Sequence, residues 1–592
     1  MKYNAQLAQG IRLFDVFEYQ ASNFPLGIAL AGQVDGTWVN YSTRQCLGII
    51  DRLAMGLIAS GLNTGDKISI VASNRPEWIL IDQAASAAGL IIVPLYTNLN
   101  DVDYKYIIDH AEVRAIVVQD EKMGMVFERI APHIQADNLI FSINATNAYA
   151  NYQSLLQSDS KLQAELQIRK QNILTTEVAT IIYTSGTQGT PKGVMLSHNN
   201  IINNAFACVD CLGLRHHISA VSSLPLSHVF ERTVNYIYIL AGMSIYYADK
   251  IELLGDVLRD VKPEFFTTVP RLMEKVYEKI LAKGAEQKGI RKYLFYKASA
   301  VAEQYNDVNK GSIWYQLELY IYNRLVFSKW RAALGGKLEG VVSGAAAFQP
   351  KLARIFLAAG IPFREGYGQT ESSPVICCNR FYKGGNKIGT VGPAVPCNYL
   401  KIAEDGEILV KGANVMLGYY KQPDLTKTVI DVDGWLHTGD VGKLIDGKFL
   451  KITDRKKEIF KNSAGKYVAP QPIENALAES RYIDHAMVLG ENEKSVAALI
   501  VPNFEQLTIW CAEENLYFDN LVDMLLHPSV HKKYLEIRNQ VNAQLNPIER
   551  VQKFKLLSET WTQENGDLTP TLKIKRRVIM ERHEAEIALL FN

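Results

Sequence analysis

Over its first third the chain alternates short β-branched runs with helix-patterned segments, and this alternation limits its fold more than any other feature. Thr43 to Ser60 repeats apolar residues at helical spacing and Lys67 to Ala72 reads as a strand. Trp78 to Ala88 is again helical, and Leu90 to Pro94 and Ala115 to Val118 are strands. Strands joined through helices rather than tight turns predict a parallel sheet covered by helices. A second strand–helix–strand unit follows at Gly340–Ser343, about Pro350 to Ala359, and Ile361–Glu365. From about Asp405 the pattern turns to short strands at Gly406–Val410, Gly442–Ile445 and Gly447–Ile452, which predicts a small β-rich subdomain. At 592 residues the chain is too long for one core. The dense charged run Asp454–Glu458 marks the main boundary, with residues 1–453 before it, 454–457 as a connector and 458–592 after it.

The bulk chemistry is excluding rather than directing. With 63 basic against 62 acidic residues the net charge is +1, which provides no overall field for nucleic acid or anionic lipid. The start, Met1-Lys-Tyr-Asn-Ala-Gln-Leu, lacks the apolar core of a secretory signal, and a cytoplasmic location is expected. The longest apolar stretch, about Ala84 to Tyr96, contains Gly89 and Pro94 and falls short of the roughly 20 residues that span a bilayer. Seven cysteines without disulfide-like spacing suit a reducing compartment. Cys208 and Cys211 form a CxxC on a helical segment, Asn199 to Gly213, and are read as structural because no second pair completes a metal site. Pro270 to Leu334 is mostly helical, and its aromatics (Tyr293, Phe295, Tyr296, Tyr315, Tyr320, Tyr322) are read as core.

The segment Tyr183 to Gly193, YTSGTQGTPKG, sets three glycines, four Ser/Thr hydroxyls and one lysine straight after the apolar run Val178–Ile182. Glycines let backbone N–H groups close around an anion, while hydroxyls and a lysine add donors and charge. It is not the common P-loop, because Pro191 stands where Gly-x-x-x-x-Gly-Lys-[Ser/Thr] needs its second glycine and Lys192 is followed by Gly193. A Ser/Gly linker is the bland alternative, but linkers seldom open on a buried strand and end in Pro-Lys-Gly. The loop resembles the signature of the adenylate-forming superfamily, which includes the acyl-CoA synthetases.

That resemblance implies an α/β fold, with a large N-terminal domain of two doubly wound sheets plus the β-rich subdomain, and a smaller mobile α+β C-terminal domain. It implies that Thr184, Ser185, Gly186, Thr187, Gly189 and Lys192 bind ATP phosphates. Gly344-Ala345-Ala346 would lie against adenine, and Gly366-Tyr-Gly-Gln-Thr-Glu371 would supply Tyr367 to stack on the base, with Gly366 and Gly368 beside it. Thr370 matches the α-phosphate threonine and Glu371 the magnesium ligand, with Thr184 as a second oxygen near Mg²⁺. Asp440 in Gly434-Trp-Leu-His-Thr-Gly-Asp440 matches the ribose carboxylate, and Arg455 an arginine reaching ribose or phosphate. Lys457 matches the hinge position, whereas Lys456 reads as a solvated basic residue. Leu568–Arg577 resembles the last motif and puts the catalytic lysine at Lys573, after Leu572 where many members have glycine; Lys575 is the alternative.

Leu224-Pro-Leu-Ser-His-Val-Phe-Glu-Arg232 resembles the substrate side of the long-chain fatty acyl-CoA synthetases. His228 and Phe230 are thereby candidates for the acyl site, though His228 reads equally as a satisfied turn-capping histidine. The implied activity joins a fatty acid to coenzyme A through an acyl-adenylate, with ATP and Mg²⁺, transient contact at most with the inner face of a membrane, and a homodimer left open. Rivals are a ligase that hands the acyl group to a carrier protein, a kinase, and a silent binding protein of the same fold. A kinase is disfavoured by the absent Gly-Lys-[Ser/Thr], and a silent protein by the presence of Thr184, Glu371 and Lys573.

Overall fold

The alternating pattern folds as read. Ser42 caps the helix Thr43–Ala59 by accepting from the Gln45 N–H at 3.3 Å, while the Gln45 side chain accepts from Ser42 N–H at 2.8 Å. The strand Lys67–Val71 pairs in parallel with Ile91–Pro94 and Val113–Val118. Their nearly unbroken apolar sequences fit a sheet buried on both faces.

The computed structural model describes residues 2–137, 139–184, 190–306, 311–463, 465–569 and 573–591. Two compact units emerge. The first comprises residues 1–401, 409–437 and 446–450, and the second 402–408, 438–445 and 451–592.

The first unit holds two eight-stranded sheets. One runs in the order Gly418–Tyr419, Lys192–Ser197, Val178–Thr184, Ile91–Pro94, Lys67–Val71, Val113–Val118, Ile140–Ser142, Ala150–Asn151. The other runs Val375–Cys378, Phe363–Gly368, Gly340–Ser343, Phe265–Thr268, Ser219–Ser222, Ser244–Tyr247, Leu30–Val34, Thr37–Tyr41, with antiparallel strands only at its two ends. Helices His198–Leu212 and Val229–Leu240 are buried along almost their whole length, polar residues such as Asn203, Asn204, Glu231 and Arg232 included. Cys208 and Cys211 lie buried there, the Cys211 thiol facing the Cys208 carbonyl at 3.6 Å, in agreement with a structural role.

The small four-stranded sheet has the order Asn398–Ile402, Glu407–Gly412, Leu436–Ile445, Phe449–Arg455. In the second unit a three-stranded sheet of Ile483–Leu489, Val496–Pro502 and Val551–Leu556 carries one core with helices Pro470–Ala478 and Pro528–Asn542 and another with Trp561, Ile579 and Leu590. Among the described residues no helix is long and apolar enough to cross a membrane.

Two readings need correction. The strand expected at Ile361–Glu365 is Phe363–Gly368, so Gly366, Tyr367 and Gly368 lie in the strand rather than after it. A Cβ on Gly368 would come 1.8 Å from the Pro374 carbonyl oxygen, so the strand can continue there only because this residue has no side chain. The segment Pro270–Leu334 is helical as expected, but of the six aromatics read as core only Phe295 is buried. Tyr293, Tyr296 and Tyr320 are exposed, and Tyr315 and Tyr322 half-buried.

Candidate active site

Four parallel strands of one sheet end at a common edge, and the loops leaving them carry seven of the candidate residues. Ser219–Ser222 leads to Leu224–Arg232, Gly340–Ser343 leads to Gly344–Ala346, and Phe363–Gly368 leads to Thr370 and Glu371, with Phe265–Thr268 between the first two. Such carboxyl ends are where doubly wound sheets collect ligands. Ser343 is in register with Glu365, so Gly344, leaving its strand, stands beside Gly366 within the next. Ala345 adopts φ of +71°, a region that L side chains rarely take and that recurs at functional loops. A Cβ on Gly344 would lie 3.1 Å from the Phe230 ring, so these two candidates are neighbours. Ala346 is exposed, while Gly366, Tyr367, Gly368 and Thr370 are half-buried.

Thr184 ends the strand Val178–Thr184 and pairs across the antiparallel ladder with Lys192, which begins Lys192–Ser197. Ser185, Gly186, Thr187 and Gly189 lie outside the described residues, as does Leu572. The Lys192 ammonium sits 5.3 Å from the centre of the Tyr419 ring, and the Tyr419 hydroxyl donates to Glu371 Oε1 at 2.9 Å. Tyr419 thus joins the lysine of one motif to the carboxylate of another. Burial, then the Glu371 carboxylate, raises its phenol above the ordinary value, so it stays a proton donor. No local motif marks this tyrosine, which is placed by pairing of Gly418–Tyr419 against Met195 and Val194.

His228 caps the helix Val229–Leu240, its Nδ1 accepting from Phe230 N–H at 3.0 Å, so the neutral ring carries its proton on Nε2. Glu231 and Arg232, which follow in the same motif, are both fully buried. Glu231 accepts from Ser222 Oγ at 2.6 Å and Thr267 Oγ1 at 2.8 Å, tying two strand ends together. Burial pushes its carboxyl up to about 7, although these hydroxyls and the Ser223 and Leu224 N–H groups favour the anion. Arg232 pairs with Asp82 (Nη2–Oδ1 2.6 Å) and donates to Thr180 Oγ1 at 2.8 Å. Glu365, beside Gly366, is pushed up to about 8 by burial, opposed by the Phe348 and Gly389 N–H groups.

The remaining candidates belong to the second unit. Asp440 is buried within Leu436–Ile445, and Arg455 Nε stands 3.3 Å from its Oδ1. Lys573 is half-buried, its N–H donating to Thr569 Oγ1 at 3.0 Å. Burial and then the Arg455 charge pull its ammonium down to about 8, against the opposing pull of Asp440 and Glu458. Asp440, Arg455 and Lys573 therefore form one electrostatic group, whereas Lys575 sits at the start of the helix Arg576–Arg582. Lys457 is exposed in a turn. Lys456 is not merely solvated, because it pairs with Asp405 at 2.6 Å and Glu407 at 2.9 Å.

The AMP-binding enzyme family matches residues 17–420, and the AMP-binding enzyme C-terminal domain matches 458–592. The chain belongs to the AMP-binding enzyme family. Long-chain-fatty-acid–CoA ligase FadD15 of Mycobacterium bovis is 30% identical over 98% of this chain and 96% of its own length. The peroxisomal long chain acyl-CoA synthetase 7 of Arabidopsis thaliana is 33% identical over 94% and 83%. Among solved structures, the adenylation domain of a carboxylate reductase from Mycobacterium chelonae superposes with a TM-score of 0.74 at 18% identity, covering 99% of this chain and 92% of that one, a likeness of fold. The cluster Lys192–Tyr419–Glu371 brings together one cation, one phenol and one carboxylate.

Proposed function

We propose that the chain converts a long-chain fatty acid to its coenzyme A thioester in two steps. The acid's carboxylate oxygen attacks the α-phosphorus of ATP, and the bond to the β-bridging oxygen breaks with its electron pair leaving on pyrophosphate. The thiol of coenzyme A, giving up its proton, then attacks the carbonyl carbon of the acyl-adenylate and expels AMP. The observation that carries the reading is the link Lys192–Tyr419–Glu371, which gathers two separately recognised motifs around one phenol. The names of relatives that match nearly the whole chain support the acid and the acceptor.

In this reading Thr184, Ser185, Gly186, Thr187, Gly189 and Lys192 hold the phosphates, and Thr370 the α-phosphate. Gly344, Ala345, Ala346, Gly366, Tyr367 and Gly368 receive adenine at the shared strand edge. Asp440 accepts from the ribose hydroxyls and Arg455 lies beside it. Lys573 neutralises charge that builds on the α-phosphate oxygens, a contribution on the order of a few kcal/mol. Glu371 suits magnesium, being a hard carboxylate with one oxygen engaged by Tyr419; with Thr184 and the substrate's phosphates it would complete an oxygen set, and the ion would neutralise phosphate charge. His228 and Phe230 border the acyl site. Residues 1–453, 454–457 and 458–592 serve as adenylating domain, hinge and catalytic-lysine domain, with Lys457 as the hinge residue. The protein works in the cytoplasm, touching a bilayer transiently to collect its acid.

The test is release of AMP and pyrophosphate with acids graded from acetate to arachidate, with and without coenzyme A. Pyrophosphate release that needs a long-chain acid, with acyl-CoA formed only when coenzyme A is present, is the expected result. ADP as product, or pyrophosphate release with no thioester formed, would overturn it.

A further inference from the structure

We propose that the face made by helices Gly289–Glu303 and Ile313–Tyr322, continued through the π turn Asn323–Phe327, docks the protein onto an anionic phospholipid bilayer. The proposal names the contact surface for the acid's source, and its purpose rests on the function proposed above. The helix Ile313–Tyr322 buries none of its residues. Trp314 is 74% exposed, Leu317 49%, Ile321 43% and Leu325 51%. Their three-and-four spacing sets them in one stripe, flanked by Ile313 and Tyr320. The neighbouring helix, joined to it by the Tyr315 hydroxyl donating to the Val301 carbonyl at 3.2 Å, adds exposed Ile290, Tyr293 and Tyr296. Leaving this much apolar surface in water is unfavourable, and monomeric proteins rarely do so without a partner.

Charge identifies the partner. Between Lys288 and Lys329 the sequence carries seven Lys/Arg against three Asp/Glu, a net of +4 in a chain whose total is +1. Two copies meeting through this face would set like charge against like charge, whereas an anionic headgroup layer complements it. Tryptophan and tyrosine with an apolar body and a polar tip, beside basic residues, form the composition of a helix lying in the membrane interface. At the C-terminal end of the stripe a cavity of about 470 Å³ is lined by Tyr320, Asn323, Arg324, Ser328 and Arg331. Arg331 is held in place by Asn323 Oδ1 and the Ala359 carbonyl, while the Arg324 guanidinium has no carboxylate partner among the described residues. Two guanidiniums, a hydroxyl and a phenol around one concavity suit a lipid phosphate.

The test is co-sedimentation of the full chain, without ATP, with vesicles of phosphatidylglycerol in phosphatidylcholine and of phosphatidylcholine alone. Binding to the anionic vesicles, weakened by salt, is expected. W314E/I321E should bind at least about tenfold more weakly, since each change removes an exposed apolar side chain that the bilayer would bury. R324A should lose about fivefold, the share of one surface charge. Both variants should keep the wild-type melting temperature and the wild-type rate of pyrophosphate release with dissolved acid. Equal binding to neutral vesicles, or variants that bind like wild type, would overturn the proposal. So would light scattering that finds a wild-type dimer and a W314E/I321E monomer, which would make this a self-association face. Vesicle binding without any adenylation would sink the proposed function and leave the surface standing.

Discussion

The pH profile of adenylation tests the Lys573 assignment. Burial and Arg455 bring the ammonium down to about 8. Such a group is about nine-tenths charged at pH 7, half charged at pH 8 and one-tenth charged at pH 9. If the charged form stabilises the reaction, kcat/KM for pyrophosphate release, which reports the free enzyme, falls about tenfold per pH unit above about pH 8. Arginine keeps its charge beyond about pH 12, so Lys573→Arg should have a lower ceiling and a level profile to about pH 10. Lys573→Ala should lose about 10²- to 10³-fold at neutral pH. The assay omits coenzyme A, because a thiol titrates in the same window. Glu365, raised to about 8, does so too, and Glu365→Gln should keep the alkaline fall if Lys573 causes it. A wild-type profile that stays level to about pH 10, or Lys573→Arg falling in step with wild type, would refute the reasoning. The stability sign follows from the same shift. The folded pKa lies below the unfolded value, so between about pH 8 and 10.4 the unfolded chain binds more protons and this group's contribution to stability rises with pH.

Glu231 and Glu365 act in the opposite sense. Their folded values, about 7 and about 8, lie above the unfolded 4.5, so their contribution to stability is lost as pH rises through those values. Glu231→Gln should therefore gain melting temperature relative to wild type when the pH is raised from about 5 to about 8. Asp82→Ala should cost about 3–5 kcal/mol in urea unfolding because Arg232 is left buried and unpaired, with recovery in Asp82→Ala/Arg232→Leu. Tyr419→Phe should leave folding intact and lower kcat/KM for pyrophosphate release about tenfold, the share of one charge-assisted hydrogen bond to Glu371. Lys457→Pro should spare pyrophosphate release and cripple thioester formation; equal loss of both would count against a hinge there.

The strand–helix alternation determined the parallel sheets, because periodicity and β-branching act locally and parallel strands need helical crossovers. Lys192, Glu371, Asp440 and Lys573 stand out as candidates from the sequence because anion and ribose chemistry calls for particular residue types in short motifs. Tertiary structure alone brought Tyr419 under Lys192 and onto Glu371, since strand pairing joins residues with no relation in sequence. It also decided that Glu231 and Arg232 are a buried charged frame: the letters Glu-Arg are the same whether water or protein surrounds them, and only burial changes their proton affinity. The reading of Tyr293, Tyr296 and Tyr320 as core fails for a similar reason. Apolar residues at helical spacing specify a helix with one greasy face, and only the surrounding chain decides whether that face meets protein or is left outward.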